Sequence, residues 1–275
     1  MINSSTAPNV RAFFASDVRS AIVIGLVLVA IANGLSIRVY ANVLQYGVVT
    51  SIINTFGVSV IVWFSIANFW ELSREANFGK ALNADWVVIA LVACLICVPL
   101  SSASWLGLTL LTIYFLCKQD LGETTRRALW VALAVGLSQQ WSRWVSTIFL
   151  PTILDVDAFL VSGLSGFPRY GNLVVTDNGI TLQILEACSS FSNVSLAFLG
   201  WINARSYFGT RGVWRAFKYL SLAIAAVVSV NTVRIAAIAF WPDMFDIIHG
   251  EIGSAIASLA STILISIICI KGARK

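Results

Sequence analysis

The stretch WVVIALVACLICVPLSSASWLGLTLLTIYFLC, from Trp86 to Cys117, contains 32 residues and no charged side chain. A helix over such a run would be about 48 Å long at roughly 1.5 Å per residue, whereas a membrane span needs about 20 residues. Pro99 and the segment SSAS interrupt the run near its middle. We therefore predict two short antiparallel spans joined by a tight turn, which is typical of a polytopic membrane protein.

The composition of the whole chain agrees with this interpretation. Hydrophobic residues make up 58% of the 275 positions and charged residues 11%, with a mean hydropathy of +0.85. Soluble proteins carry roughly 25% charged residues. The net charge is +5, but the basic residues lie in small groups between apolar segments rather than in a stripe interleaved with aromatics. We expect an all-α integral membrane protein, a single domain over residues 1–275, with no nucleic-acid partner.

Apolar segments along the chain predict about eight transmembrane helices. The segments are Ala21–Val39, Val43–Trp70, Trp86–Leu100, Trp105–Cys117, Ala128–Leu150, Ser189–Ala204, Tyr219–Trp241 and Ile252–Ile270. With a cytoplasmic N-terminus, fourteen of the 18 basic residues fall on the cytoplasmic side and two, Arg38 and Arg169, on the outer side. This asymmetry follows the positive-inside rule and predicts that both termini are cytoplasmic.

The longest segment between predicted spans, residues 151–187, lies on the outer side. Apolar residues at helical spacing predict a short interfacial helix over Pro151–Gly166; these residues are Ile153, Val156, Phe159, Leu160 and Leu164. Asn178-Gly179 predicts a hairpin with a two-residue loop just before Cys188. The hairpin either caps the helix bundle or offers its free edge to an extended peptide.

Two arginines lie inside predicted spans, where a charge is costly and indicates a functional site. Arg143 has Gln140 one turn away, and Arg234 has Asn231 three residues earlier on the same helical face. The alternative for each arginine is a long side chain that reaches the outer interface. Glu186 is the nearest plausible carboxylate for either cation.

Cys188 is the one cysteine outside an apolar run, and His249 is the only histidine. The predicted topology places both of them, together with Arg234, at the outer ends of three successive spans. A nucleophile, a proton carrier and a cation for developing negative charge are what acyl transfer through a thiol needs. Taken singly, Cys188 could be a packing residue and His249 an ordinary loop residue.

Three motifs resemble those of the exosortase and archaeosortase family. They are EACSS with Cys188, NTVR with Arg234 and HGEIG with His249, and their order and spacing also match. The resemblance is most specific from about Asn172 to Ser254, within an expected catalytic core over residues 128–270. Many members read Glu-Ala-Cys-Ser-Gly, and Ser190 stands here in place of that glycine.

The resemblance implies a membrane cysteine protease–transpeptidase in the cytoplasmic membrane of a prokaryote. Its partners would be membrane lipids and exported proteins with a three-part C-terminal sorting signal. That signal, termed PEP-CTERM where its short motif contains Pro-Glu-Pro, continues with a transmembrane helix and an arginine-rich tail. The enzyme would cut near the motif at the outer face and pass the acyl group to an acceptor that the sequence does not identify.

The resemblance also implies roles for individual residues. Cys188 would form a thioester with the substrate, Arg234 would stabilise the oxyanion, and His249 would move the proton. Supporting roles are expected for three residues, which are Glu186, Asn231 and Ser189. Substrate binding is expected for Arg143 and Gln140.

No cofactor and no metal site are expected, and two other functions stay open at this point. An anion transporter or channel lined by Arg143 and Arg234 would explain the intramembrane charges. A thiol-dependent acyltransferase that acts on a lipid-linked substrate would use Cys188 in the same way.

Overall fold

The computed structural model describes residues 10–210 and 212–274, and about 81% of the structure is helical. The chain falls into two compact units, which meet in sequence between Gly136 and Leu137. The predicted single domain over residues 1–275 stays a prediction. Each unit is described separately below.

The described part of the first unit, residues 10–136, contains five α-helices. They are α1 (Val10–Ile53), α2 (Val60–Ser73), α3 (Asn83–Cys97), α4 (Ser101–Leu116) and α5 (Glu123–Gly136). Helix α4 packs against α1, α3 and α5, and α2 packs against α5. The predicted tight turn at Pro99 is confirmed, since α3 ends at Cys97 and α4 begins at Ser101.

The break between the first two apolar segments differs from the prediction. We predicted it at residues 40–42, but α1 continues through them to Ile53, with non-helical backbone at Gly47. The chain turns at Thr55–Gly57, where Thr55 and Phe56 have positive φ angles of 55° and 57°. The segment Tyr40-Ala41-Asn42 contains no glycine or proline, so nothing in its backbone ends the helix there.

A buried charged cluster connects α1, α3 and the loop after α4. The Asp85 carboxylate forms an ion pair with Arg19 and accepts hydrogen bonds from Lys118 Nζ at 2.9 and 3.0 Å and from the Tyr114 hydroxyl at 2.8 Å. Arg19 and Asp85 are fully buried. Arg19, counted above among the loop charges, therefore belongs to the packed interior of this unit.

The second unit begins with a π-helical turn (Leu137–Trp141) and contains the remaining helices. They are α6 (Ser142–Ser165), α7 (Phe191–Phe208), α8 (Val213–Phe240), α9 (Phe245–His249) and α10 (Glu251–Ala273). Helices α7, α8 and α10 pack against one another, and α6 packs against α7 and α8. These contacts place the residues before α7 close to α6 and α8.

Helix α6 corrects the prediction of a separate interfacial helix from Pro151 to Gly166. Pro151 lies inside α6, which is continuous from Ser142 and ends at Gly166 in a left-handed conformation. The buried face also differs from the predicted apolar face. Four residues are buried, and they are Leu154, Asp157, Ala158 and Val161, while Val156, Phe159 and Leu164 are exposed. In a lipid environment apolar side chains can face outward while a polar one packs inside.

The predicted hairpin is present, as part of a three-stranded antiparallel sheet. The strands are β1 (Arg169–Tyr170), β2 (Leu173–Val175) and β3 (Thr181–Gln183), in that order across the sheet. The loop has three residues rather than two: Thr176 pairs with Ile180, and Gly179 takes a φ of +73°. A three-residue loop with glycine in this conformation is the next most common hairpin connection.

In residues 10–210 and 212–274, four helical stretches are long and apolar enough, by length and composition, to cross a membrane. They are Val18–Ile53, Glu123–Ser165, Val213–Phe240 and Ile252–Ala273. Three shorter apolar helices have 14 to 16 residues, about 21–24 Å against a hydrocarbon core of about 30 Å. The predicted membrane character is thus supported, whereas the count of eight spans stays a prediction.

Candidate functional site

Cys188 lies in a short segment between strand β3 and helix α7. Glu186–Cys188 form a single 3-10 turn, closed by the Cys188 N–H donating to Leu185 O at 2.9 Å. Helix α7 begins only at Phe191, so Cys188 stands three residues before the helix rather than at its first residue. Its side chain is half-buried and packs against an apolar cluster that α6, α8 and the sheet share.

The Cys188 thiol is in direct contact with the only histidine of the chain. Cys188 Sγ lies 3.2 Å from His249 Nε2. His249 is the last residue of α9, and its ring stacks on Phe245 with a centroid distance of 4.8 Å and an interplanar angle of 7°. Within the described chain, no carboxylate hydrogen-bonds to His249, so the Phe245 ring is what fixes the plane of the imidazole.

Arg234 holds the backbone of the segment that carries His249. Its Nε donates to Ile248 O at 3.1 Å, and one terminal nitrogen, Nη2, donates to His249 O at 3.0 Å. The same nitrogen donates to Ser254 Oγ at 2.8 Å, and that hydroxyl donates to His249 O at 3.0 Å. Nη1 of Arg234 has no hydrogen-bond partner among the described residues. The guanidinium thus joins α8, the end of α9 and the first turns of α10.

The two glycines of the HGEIG motif lie where the backbone leaves no room for a side chain. A Cβ atom at Gly250 would collide with the carbonyl oxygen of Asp246, and one at Gly253 would collide with that of Ile248. The backbone of α10 therefore starts directly against the end of α9. This close approach brings the carbonyls of Ile248 and His249 within reach of Arg234.

A second polar group holds the backbone at Cys188 and Ser190. Asn231 Nδ2 donates to Cys188 O at 2.7 Å and to Ser190 Oγ at 3.1 Å. The Asp157 carboxylate on α6 accepts from the Ser190 N–H at 3.1 Å and from Ser190 Oγ at 2.7 Å. Asp157, Ser190 and Asn231 are all buried. Helices α6 and α8 thus both bind the segment that contains Cys188.

The side chains of Glu186, Ser189 and Arg143 make no hydrogen bond to Cys188, Arg234 or His249 in the described part of the structure. The Glu186 side chain is exposed and bonds to neither Arg234 nor His249 in the described part of the structure. Ser189 Oγ accepts from the Phe191 N–H at 3.2 Å and so supports the start of α7. Arg143 is exposed on α6, and Gln140 is buried in the π-helical turn, which packs against α7. Single π-helical turns are frequent at functional sites.

The sheet next to Cys188 has a packed face and an exposed edge. Val174 and Ile184 are buried in the apolar cluster, as a capping role requires. The Ile184 N–H donates to Asn172 O at 3.0 Å, so the backbone groups of Ile184 point toward the strand that contains β2. Because successive residues of an antiparallel strand point their backbone groups alternately toward and away from the partner, those of Thr181 and Gln183 point away from β2. The geometry is therefore compatible with both interpretations of the hairpin.

Sequence reasoning missed three residues of the network, which are Asp157, Phe245 and Ser254. A signal for Asp157 was present, since it lies four residues after Ile153 and three before Leu160, on the face that we predicted to be apolar. Phe245 precedes His249 by four residues, the spacing of a helical side-chain pair. Ser254 follows the HGEIG motif directly and carries no signal of its own.

This arrangement brings together two of the groups that thiol chemistry uses. A thiolate is the reactive form of cysteine, and an imidazole at hydrogen-bond distance can take the thiol proton and return it later. All five cysteines are free, and three of them, Cys94, Cys97 and Cys117, are exposed, while Cys269 is buried. In residues 10–210 and 212–274, no cluster of three or more metal-binding side chains is present.

No protein-family model, no curated protein and no solved structure matches this chain.

Proposed function

We propose that this protein is an exosortase-like cysteine protease–transpeptidase that cleaves the C-terminal sorting signals of exported proteins. The single observation that carries the proposal is the 3.2 Å contact between Cys188 Sγ and His249 Nε2. The two residues are 61 positions apart, and they belong to the two motifs that resemble the nucleophile and histidine motifs of this family. Arg234, from the third motif, hydrogen-bonds to the backbone of His249.

The reaction begins with proton transfer from the Cys188 thiol to His249 Nε2. The thiolate attacks the scissile carbonyl carbon, and the carbonyl oxygen becomes negatively charged. As the C–N bond breaks, His249 gives its proton to the leaving amine, and a thioester remains on Cys188. An acceptor nucleophile then loses its proton to His249 and attacks the thioester, which releases the product and the thiol.

Arg234 would act in two ways in this reaction. Nε and Nη2 hold the carbonyls of Ile248 and His249, which positions the imidazole. Nη1 is left as a charged donor for the oxyanion. This division assigns both positioning and charge stabilisation to one guanidinium.

The proposed setting is the outer face of a prokaryotic cytoplasmic membrane. Eight spans with both termini in the cytoplasm would put the segment from β1 to Cys188 and the α9 segment on the outer side. Arg143 and Gln140, in the helical stretch before the sheet, are proposed to bind the short motif of the sorting signal. The substrate's transmembrane helix would lie in the lipid beside the enzyme.

The test compares the C-termini of exported proteins in cells that carry the parent enzyme, Cys188→Ala or Cys97→Ala. Intact-mass analysis of exported proteins shows whether the C-terminal helix and tail have been removed. Cys188→Ala should accumulate in the membrane and leave every precursor at full length. Cys97→Ala, which changes an exposed thiol at the end of α3, should process precursors as the parent does. Normal processing in Cys188→Ala would remove Cys188 as the nucleophile.

A further inference from the structure

Asp157 is a buried carboxylate whose hydrogen bonds all go to one residue next to the nucleophile. Its side chain is 3% exposed. Its two oxygens accept from the backbone N–H and from the hydroxyl of Ser190. Among the described residues, no lysine, arginine or histidine forms an ion pair with Asp157. Burial of a polar group costs free energy unless the group is hydrogen-bonded, so the fold of this region depends on the two hydrogen bonds to Ser190.

The types of donor and acceptor fix the direction of these hydrogen bonds. An amide nitrogen only donates, so Ser190 Oγ accepts from Asn231 Nδ2 at 3.1 Å and gives its own proton to Asp157 at 2.7 Å. The second proton of the amide nitrogen goes to Cys188 O at 2.7 Å. Asp157 thus stands at one end of a chain of hydrogen bonds whose other end is the carbonyl of Cys188.

The chain of hydrogen bonds restrains the backbone at Cys188 and directly after it. Asn231 holds the carbonyl of Cys188, and Asp157 holds the amide of Ser190 two positions later. These anchors stand on α8 and α6, which pack against each other. With the backbone fixed, the thiol stays at the 3.2 Å separation from His249 Nε2.

From this geometry we infer that Asp157 is a positioning residue for Cys188, acting through Ser190 and Asn231. It touches neither the thiol nor His249, so its effect reaches the reaction only through the placement of Sγ. The catalytic meaning of this role rests on the proposed function. The placement of the thiol is independent of the proposed function, and it can be measured with a small alkylating reagent.

The experiment uses the full-length protein with Cys94, Cys97, Cys117 and Cys269 replaced by alanine, so that Cys188 is the one thiol. The purified protein in detergent is treated with iodoacetamide at neutral pH, and the ultraviolet absorbance of the thiolate is recorded. Asp157→Asn replaces one acceptor with a donor at nearly constant shape. The thiol should move away from His249 and lose thiolate character, so alkylation should slow by about 10-fold and the thiolate absorbance should fall.

A matched control stands on the same helix. Asp155 is exposed and pairs with Arg169 at 2.6 Å, so Asp155→Asn should keep the alkylation rate within about 2-fold of the parent. Ser190→Ala retains Asp157 and removes the hydroxyl, and it should also slow alkylation. The double variant Asp157→Asn/Ser190→Ala should be no slower than the slower single variant, since both changes break one chain of contacts.

Two results would overturn the inference. One is a parent-like alkylation rate and thiolate absorbance in Asp157→Asn at an unchanged melting temperature. If Asp157→Asn does not fold, a parent-like rate in Ser190→Ala has the same consequence. Failure of the proposed function looks different: the parent would leave all exported proteins uncut, while Asp157→Asn would still slow alkylation.

Discussion

Contacts from three elements hold Cys188 in place. His249 at the end of α9 contacts the thiol, Asn231 on α8 holds the carbonyl of Cys188, and Asp157 on α6 holds the backbone of Ser190. The thiol itself is half-buried. A cysteine placed in this way has both partial exposure and an imidazole at hydrogen-bond distance, which the proposed nucleophile requires.

At the residue scale, Arg234→Lys should lower the processing of sorting-signal precursors by at least about 100-fold. Lysine keeps the positive charge, but all its donors lie on one nitrogen, whereas the guanidinium reaches Ile248 O through Nε and both His249 O and Ser254 Oγ through Nη2. The imidazole and the oxyanion donor would both be lost from their positions. Quantitative mass spectrometry of precursor and product over time measures the rate.

Arg127→Lys is the matched control for this change. Arg127 forms an exposed i,i+4 pair with Glu123 on α5, and such pairs contribute little to stability. Its processing rate should equal that of the parent. Near-normal turnover in Arg234→Lys would show instead that positive charge alone is sufficient at this position.

At the element scale, the hairpin before Cys188 depends on the conformation of one glycine. Gly179 has a φ of +73°, where a Cβ atom costs about 1–2 kcal/mol. Gly179→Ala should therefore lower the free energy of unfolding by about 1 kcal/mol. Gly163, in the last turn of α6, has open space where a Cβ atom would lie, so Gly163→Ala should raise the free energy of unfolding by up to about 0.5 kcal/mol.

Thermal unfolding of both variants in the same detergent measures the difference between the two glycines. Opposite signs are expected, because one site needs the left-handed backbone and the other needs only a helix. A neutral result for Gly179→Ala would mean that the three-residue loop rearranges without loss of stability.

Element boundaries were predictable where the chain contains a helix breaker. The turn at Pro99 and the hairpin at Asn178-Gly179 were predicted from the sequence. Proline limits the backbone to one range of φ, and glycine allows positive φ, so both residues mark turns. The break after the first apolar segment was predicted too early, because the helix continues past Asn42. Its backbone becomes non-helical at Gly47, and the chain turns where Thr55 and Phe56 adopt positive φ. The apolar face predicted for Pro151–Gly166 does not identify the side of α6 that packs inside the protein, since apolar periodicity does not distinguish a lipid-facing side from a packed one.

At the scale of the folded units, the buried cluster around Asp85 makes stability depend on pH. Asp85 precedes the predicted span that begins at Trp86. Burial by itself raises the pKa of Asp85, but hydrogen bonds from the Leu82 N–H, Lys118, Tyr114 and Arg19 outweigh burial and lower the pKa from its ordinary value of 3.8 to about 2. A lowered carboxyl pKa stabilises the fold above the ordinary value, and this stabilisation is lost as the pH falls through the folded-state pKa.

We therefore expect the melting temperature to fall between pH 4 and pH 2, with a loss of about 2 kcal/mol from Asp85. Asp85→Asn should remove this pH-dependent part. It should also destabilise the protein at pH 7 by about 3 kcal/mol, because Arg19 and Lys118 would lose their counter-charge. Calorimetry of the purified protein across this pH range gives both quantities.

Glu71→Gln is the control for the pH experiment, since Glu71 and Arg74 form an exposed pair with side chains 66% accessible. It should change the free energy of unfolding by less than about 1 kcal/mol and keep the parent's pH dependence. A pH profile of Asp85→Asn that matches the parent would assign the acid sensitivity to other carboxylates.

The sequence by itself determined the helical membrane character of this protein, because apolar runs and the distribution of charge depend only on the order of residues. It also singled out Cys188, Arg234 and His249 as candidates. Only the tertiary structure decided that the Cys188 thiol contacts His249 and that Arg234 hydrogen-bonds to the His249 carbonyl. It also decided that Asp157 hydrogen-bonds to Ser190. The physical reason is that these contacts join residues 15 to 61 positions apart, and their separation is set by how α6, α8, α9 and α10 pack rather than by any local pattern.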